Sequence, residues 1–225
     1  MYASLLSTLT GAGFFIISSI RPEIIPATSR YAVYVYVILI IMMNSVSAYR
    51  LSVNKRMQHL NNKQLKHLSV TEPLTGIYNR GKFDQDLKKW FERTERYKHE
   101  FTLVLFDLDD LKAINDTHGH IVGDQVIISI TNLIKDIIRS SDVFARWGGD
   151  EFAILLPYTH KSEAIKLVER IRTVISTHYF DQAGYISCSF GIASFSEANA
   201  IHELLNIADK KLYQAKLNGK NQFFV

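Results

Sequence analysis

The stretch Val143-Phe144-Ala145-Arg146-Trp147-Gly148-Gly149-Asp150-Glu151-Phe152-Ala153-Ile154-Leu155-Leu156 decides the fold. Its ends are short apolar runs and its middle is a Gly-Gly turn, the pattern of a β-hairpin. Two glycines let the backbone approach a ligand closely, and Asp150 and Glu151 stand side by side at the tip. A turn by itself does not require both carboxylates.

Helical and strand patterns alternate outward from this hairpin. Upstream, Phe83, Leu87, Trp90 and Phe91 fall at helical spacing, and residues 101–106 form an apolar run that ends at Asp107. Ile130, Leu133, Ile134, Ile137 and Ile138 mark a second amphipathic helix. Downstream, Ala164, Leu167, Val168, Ile171, Val174 and Ile175 form another stripe, with Ser162 placed to cap it and Glu163 in its first turn. A strand around residues 186–193, a helix through Leu204, Leu205, Ala208, Leu212 and Ala215, and a closing strand over residues 222–225 complete the pattern. The expected fold is α/β: an α+β sandwich with a ferredoxin-like or palm-type mixed sheet and surrounding helices.

The N-terminal region reads differently. Residues 3–20 and residues 31–48 carry no charge, and each run is about the minimum needed to cross a hydrocarbon core of roughly 30 Å. A cleaved signal peptide fits poorly, because the first run has no basic leader and a second apolar run follows at once. The expectation is a transmembrane hairpin over residues 1–49, giving a multi-pass protein of the inner (cytoplasmic) membrane. Arg50, Lys55, Arg56, Lys63 and Lys66 follow the second run and place the C-terminal domain in the cytoplasm. Residues 50–70 lack Gly and Pro, carry Val53, Met57, Leu60, Leu65 and Leu68 as apolar positions, and read as a helical linker too short to establish a coiled coil. Residues 71–225 form the remaining domain.

Composition narrows the chemistry only a little. The formal net charge of +4 suits nucleic acid, a juxtamembrane basic segment or a polyphosphate pocket alike. Cys188 is the only cysteine, which excludes a disulfide framework or a cysteine metal site within one chain and suggests a buried reduced thiol.

Asp107-Leu108-Asp109 closes the apolar run of residues 101–106, so an extended backbone directs both carboxylates to one side, with the Leu108 carbonyl between them. Hard divalent cations take such oxygen ligands. Taken alone, the tripeptide fits the cap of a following helix better; the paired carboxylates Asp150 and Glu151 are what tip the balance.

Arg146-Trp147-Gly148-Gly149-Asp150-Glu151-Phe152 resembles the signature of GGDEF domains, the diguanylate cyclases. The resemblance extends through Leu74-Thr75-Gly76-Ile77-Tyr78-Asn79-Arg80, the segment from Asp107 to Asp116, Gly119-His120-Ile121-Val122-Gly123-Asp124 and the segment from Leu212 to Asn221, so it covers residues 71–225. It implies an enzyme that condenses two GTP into cyclic di-GMP and two pyrophosphates across a homodimer, with no nucleic-acid partner. It also implies Asp107, the Leu108 carbonyl and Asp150 as ligands of two Mg²⁺ or Mn²⁺ ions, with Glu151 beside them. Asp150 and Glu151 are then the catalytic carboxylates, with Asp150 the candidate proton acceptor. Asn115 and Asp124 resemble the pair that reads the guanine edge, and a carboxylate accepting from guanine N1–H and N2–H₂ rejects adenine. A first-turn helix carboxylate is the plainer reading of Asp124.

By the same resemblance Lys112, Lys216 and Lys220 hold the triphosphate, Gly148 and Gly149 leave it room, and His120 joins the nucleotide-binding set. Solvated surface lysines are the plainer reading of Lys216 and Lys220. Arg139-Ser140-Ser141-Asp142 resembles the family's inhibitory product site, to which Arg170 contributes. Glu72 stands where many relatives have Asp, Leu111 where Phe is usual and Lys220 where Arg is usual, and none of these removes a metal ligand. A membrane-bound receptor that binds cyclic di-GMP without making it is the alternative, disfavoured because such receptors lose the signature carboxylates.

Overall fold

The computed structural model describes residues 70–225, the helix Ala27–Leu68, and Gly13, Ile16 and Ile20. It divides into two compact units, Met1–Lys66 and His67–Val225.

In the first unit the described chain is dominated by helix α1 (Ala27–Leu68), 42 residues without a break. Among the described residues it is the one helix long and apolar enough to cross a membrane, over Tyr34–Gln58 at a mean hydropathy of 1.5. Val35, Ile38, Ile41 and Met42 on it are exposed. The apolar run of residues 31–48 and the polar segment after it thus share one helix. The first apolar run, residues 3–20, lies almost wholly outside the described residues.

The second unit is built on a six-stranded mixed sheet. Its elements are β1 (Tyr78–Asn79), α2 (Arg80–Tyr97), β2 (Phe101–Leu108), α3 (Leu111–His118), α4 (His120–Lys135), β3 (Val143–Arg146), β4 (Glu151–Pro157), α5 (Lys161–Thr177), β5 (Tyr179–Phe180), β6 (Gly184–Tyr185), β7 (Cys188–Ser194), α6 (Ile201–Leu217) and β8 (Phe223–Phe224). The sheet order is β1-β3-β4-β2-β7-β8, and β5 and β6 form a separate hairpin. Strand β2 is central, antiparallel to both β4 and β7, whereas the β1–β3 and β7–β8 pairs at the two edges are parallel.

Every residue of β2 is buried, because helices cover both faces of the sheet. On one face Val104, Phe106 and Leu108 pack with Ile130 and Ile134 of α4 and Val168, Ile171 and Ile175 of α5. On the other, Phe101, Leu103 and Leu105 pack with Phe83, Leu87 and Phe91 of α2 and Leu204, Ala208 and Leu212 of α6. Alternation along one strand thus feeds two cores, which is why the run reads as uniformly apolar. Gly191 in β7 faces α6 so closely that a Cβ there would collide with the backbone at Ala208 and Leu212.

Local signals set the helix ends, with two departures from expectation. Asn79 caps α2 by accepting from the Lys82 amide at 2.9 Å. Helix α5 begins at Lys161, not after Ser162: His160 is its N-cap, and the Glu163 carboxylate accepts the His160 amide at 3.1 Å. The reciprocal reach of Glu163 outweighs the serine's preference for the cap. Helix α4 stops at Lys135, so Ile137 and Ile138 pack on the core from the following turn. Cys188 is buried, and burial, with the nearby Asp109 and Asp107 carboxylates, pushes its thiol well up.

Candidate active site

The register of the central strands assembles the carboxylates. Asp107 is the cross-strand partner of Glu151, and the Leu108 amide donates to the Asp150 carbonyl at 3.2 Å. The signature turn is therefore closed onto the end of β2. The Trp147 and Gly148 amides both donate to the Glu151 carbonyl, at 2.8 and 3.1 Å, and the Glu151 side chain folds back over Gly148.

Asp107 is buried, and its carboxyl is pushed up to about 6. Burial is the main cause, Asp150 and Glu151 add repulsion, and a hydrogen bond and charge from Lys216 oppose it. Lys216, in the last turn of α6, lies 2.8 Å from Asp107. Lys220 pairs with Asp110 at 2.6 Å beside the same strand end. Two lysines and the Asp107, Asp150 and Glu151 carboxylates thus gather at one end of the central strands, where Asp150 and Glu151 repel Asp107.

Asp109 does not join that set, although the extended-strand reading pairs it with Asp107. Its buried carboxylate accepts from Ser187 Oγ at 2.6 Å, Ser189 Oγ at 2.7 Å and the Asn221 amide at 3.1 Å. The strand ends at Leu108, so alternation no longer directs the next side chain.

The Asn115 side chain of α3 packs against α4, its amide lying where a Cβ on Gly123 would stand, one position before Asp124. Asp124 is the fifth residue of α4, beyond its first turn, so the helix-start reading of that carboxylate does not apply. Lys112 and His120 are exposed on the first turns of α3 and α4, and neither pairs with a carboxylate among the described residues.

Three residues outside the expected set hold the turn. Arg146 donates from Nε and Nη2 to the Gly149 carbonyl at 3.0 and 2.7 Å, and from Nη1 to Glu72 at 3.1 Å. Glu72 in turn accepts from Thr75 N at 2.9 Å and Thr75 Oγ1 at 2.6 Å. Glu72 shows in the sequence only as a departure from its relatives; its pairing with Arg146 spans 74 positions and leaves no local signal.

A divalent cation fits the donor chemistry: hard oxygen donors converge, and a positive charge offsets both the burial of Asp107 and the repulsion that Asp150 and Glu151 add to it. Among the described residues no three His, Cys, Asp or Glu groups form a ready metal cage.

Arg139, Asp142 and Arg170 come together elsewhere. They line a cavity of about 440 Å³ with Ile137, Glu163 and Lys166. The Arg139 amide donates to Asp142 at 2.8 Å, and Arg170 donates to the Ile137 carbonyl at 2.6 Å. Burial pushes the Asp142 carboxyl up, and the Arg139 hydrogen bond opposes it.

Residues 69–222 match the family model described as diguanylate cyclase, GGDEF domain. The chain is 32% identical over 193 residues to the probable diguanylate cyclase DgcC of Escherichia coli K12, covering 84% of this chain and 50% of that protein. It is 38% identical over 166 residues to diguanylate cyclase DgcS of Shewanella oneidensis, covering 72% of this chain and 55% of that one. The chain thus spans about half the length of these curated relatives. The coiled coil and GGDEF domain of DgcB from Caulobacter crescentus, solved in complex with c-di-GMP, superposes with a TM-score of 0.67 at 28% identity, covering 80% of this chain and 97% of that one.

Proposed function

Because this chain belongs to the GGDEF family, we propose that it is a diguanylate cyclase, condensing two GTP into cyclic di-GMP with release of two pyrophosphates. The observation that carries this reading is the convergence of Asp107, Leu108, Asp150 and Glu151 at the joined ends of β2 and β4, beside Lys216.

Each half-reaction is an in-line displacement in which a ribose 3′-hydroxyl attacks the α-phosphorus of the facing GTP and pyrophosphate leaves. Such a step needs positioning and charge neutralisation more than covalent help. Asp107, the Leu108 carbonyl, Asp150 and Glu151 would hold two Mg²⁺ or Mn²⁺ ions, which would supply charge neutralisation for the phosphates and acidify the attacking hydroxyl. Asp150 takes the hydroxyl proton. Lys216, Lys220 and Lys112 bind the triphosphate, Gly148 and Gly149 give it room, and His120 borders the nucleotide. Asp124 accepts from guanine N1–H and N2–H₂, and the Asn115 amide reads the guanine edge beside it. One domain carries one nucleotide site, so the product requires two domains face to face, and a homodimer is the working form.

The Arg139, Asp142 and Arg170 cavity is assigned to product inhibition, since arginine meets phosphate and stacks on guanine at once. Residues 1–49 anchor the chain in the inner membrane, residues 50–70 link, and residues 71–225 work in the cytoplasm; the span Tyr34–Gln58 supports the anchor. The decisive experiment incubates the full chain with GTP and Mg²⁺ and identifies the product by mass. Cyclic di-GMP is expected, and nucleotide binding without turnover by a folded, dimeric protein refutes the assignment.

A further inference from the structure

The turn between α6 and β8 runs through three consecutive left-handed residues: Gly219 (φ 106°), Lys220 (φ 61°) and Asn221 (φ 47°). Glycine adopts this conformation freely and asparagine tolerates it, but lysine resists it. A segment in so sparsely populated a region persists only where its surroundings over-determine it.

Two groups do so. Asp109, fixed by Ser187 and Ser189, accepts the Asn221 amide at 3.1 Å. Arg172 of α5 donates from Nη1 to both the Asn221 carbonyl at 3.3 Å and the Asn221 side-chain oxygen at 3.2 Å. The arginine is itself fixed, because Glu169 accepts from its Nε and Nη2 at 2.9 and 2.7 Å. Asn221 is thereby gripped at its amide, its carbonyl and its side chain, and the residue just before it is Lys220, whose Nζ reaches Asp110 at the N-cap of α3, two residues past β2. Arg172 lies 49 positions from Asn221 and outside every motif that marks the site in the sequence.

We propose that Arg172 is a positioning residue for the triphosphate, acting through Asn221 to hold Lys220 in the left-handed turn that aims its ammonium at the catalytic edge. The inference rests on the reading of Lys220 as a triphosphate ligand. Without the guanidinium the carbonyl and side chain of Asn221 lose their anchor. The turn then relaxes toward ordinary backbone angles and carries the lysine off its line.

The test measures binding of a non-hydrolysable GTP analogue and of GMP, with Mg²⁺, to the full chain and to Arg172→Ala, Lys220→Ala and the double variant. Loss of one charge-assisted phosphate contact corresponds to roughly 10-fold weaker binding. Lys220→Ala and Arg172→Ala are each expected to weaken the analogue about that much and to leave GMP unaffected. The double variant is expected to be no weaker than Lys220→Ala alone. Arg172→Gln keeps one donor without the fork, should lose less than Arg172→Ala, and serves in its place if the alanine variant fails to fold.

Equal losses for GMP and the analogue mean a general structural role and overturn the proposal, as do additive losses in the double variant. A silent Arg172→Ala beside a weakened Lys220→Ala overturns the role of Arg172 alone. A silent Lys220→Ala removes the reading of Lys220, and the proposal falls with it.

Discussion

Replacing Arg146 with alanine removes both hydrogen bonds to the Gly149 carbonyl and the one to Glu72. The Arg146 and Glu72 side chains are only 13% and 20% exposed, so solvent screens the pair weakly. Glu72 keeps its two bonds from Thr75, so it is not left as an orphaned charge. The expected destabilisation is therefore about 2 kcal/mol, below the range for a fully buried pair that loses one partner. In a domain of this size that lowers Tm by roughly 4–8 °C.

The effect on rate should be larger than the effect on stability. Asp150 follows Gly149 directly, and a displacement on the order of 1 Å at reacting groups costs about 10²-fold in rate. Arg146→Lys should recover little, because an ammonium cannot make the forked contact to Gly149 and Glu72 together. Glu72→Gln should lose less than either, since an amide still accepts from Thr75. The assay pairs initial rates of cyclic di-GMP formation at saturating GTP with thermal unfolding of the same preparations. An Arg146→Ala protein that loses stability yet keeps the full rate refutes the idea that the turn needs this clamp.

Other outcomes follow from the same geometry. Asp150→Ala should abolish synthesis while leaving the unfolding curve unchanged, because it removes a carboxylate from a turn without opening a core cavity; a folded variant with undiminished product would sink the assignment. Arg139→Ala should relieve inhibition by cyclic di-GMP and leave the uninhibited rate intact, and equal inhibition of variant and parent would remove that role. Activity per protein should rise with concentration through the dimerisation range and be restored at low concentration by a dimeric zipper; a flat profile in demonstrably monomeric protein rules out the paired site. Burial raises the Glu197 carboxyl, but hydrogen bonds from Lys211, Ser194 and Lys161 outweigh it and hold the group at about 2, below its usual 4.5. Burial lowers the Lys211 ammonium, which nonetheless stays charged in acid, so Glu197 is the member of the pair that titrates. The depressed value means that the stabilisation is complete above about 4.5 and is lost as the pH falls through about 2. The stability gap between the parent and Glu197→Gln should narrow across that window, and a constant gap would contradict the linkage.

The sheet was legible because its signals are local and periodic. Residues 101–106 read as a strand from their apolar run, and residues 143–156 as a hairpin from their glycines. The carboxylate cluster was legible for the same reason, since Asp107, Asp150 and Glu151 all sit at strand ends. The direction of Asp109 was not legible, because it depends on where β2 stops and on two serines in β7 or just before it. Arg146 with Glu72, and Arg172 with Asn221, join segments far apart in the chain, and nothing in a local window records such a pairing. The α5 cap moved from Ser162 to His160 because a reciprocal contact, not a residue preference, fixed it.

Gly191 carries no functional group and sits two residues along β7 from Ser189, the cross-strand partner of Asp107, yet it limits how far Lys216 can reach. Helix α6 lies flat on the sheet because a hydrogen atom stands where every other amino acid has carbon. A methyl group there would lift Ala208 and Leu212, and with them the helix that carries the ammonium to Asp107. The electrostatics of the site are therefore tuned partly by steric thickness beneath a helix. An alanine at position 191 would act on Asp107 without touching it, by lengthening a contact now 2.8 Å long.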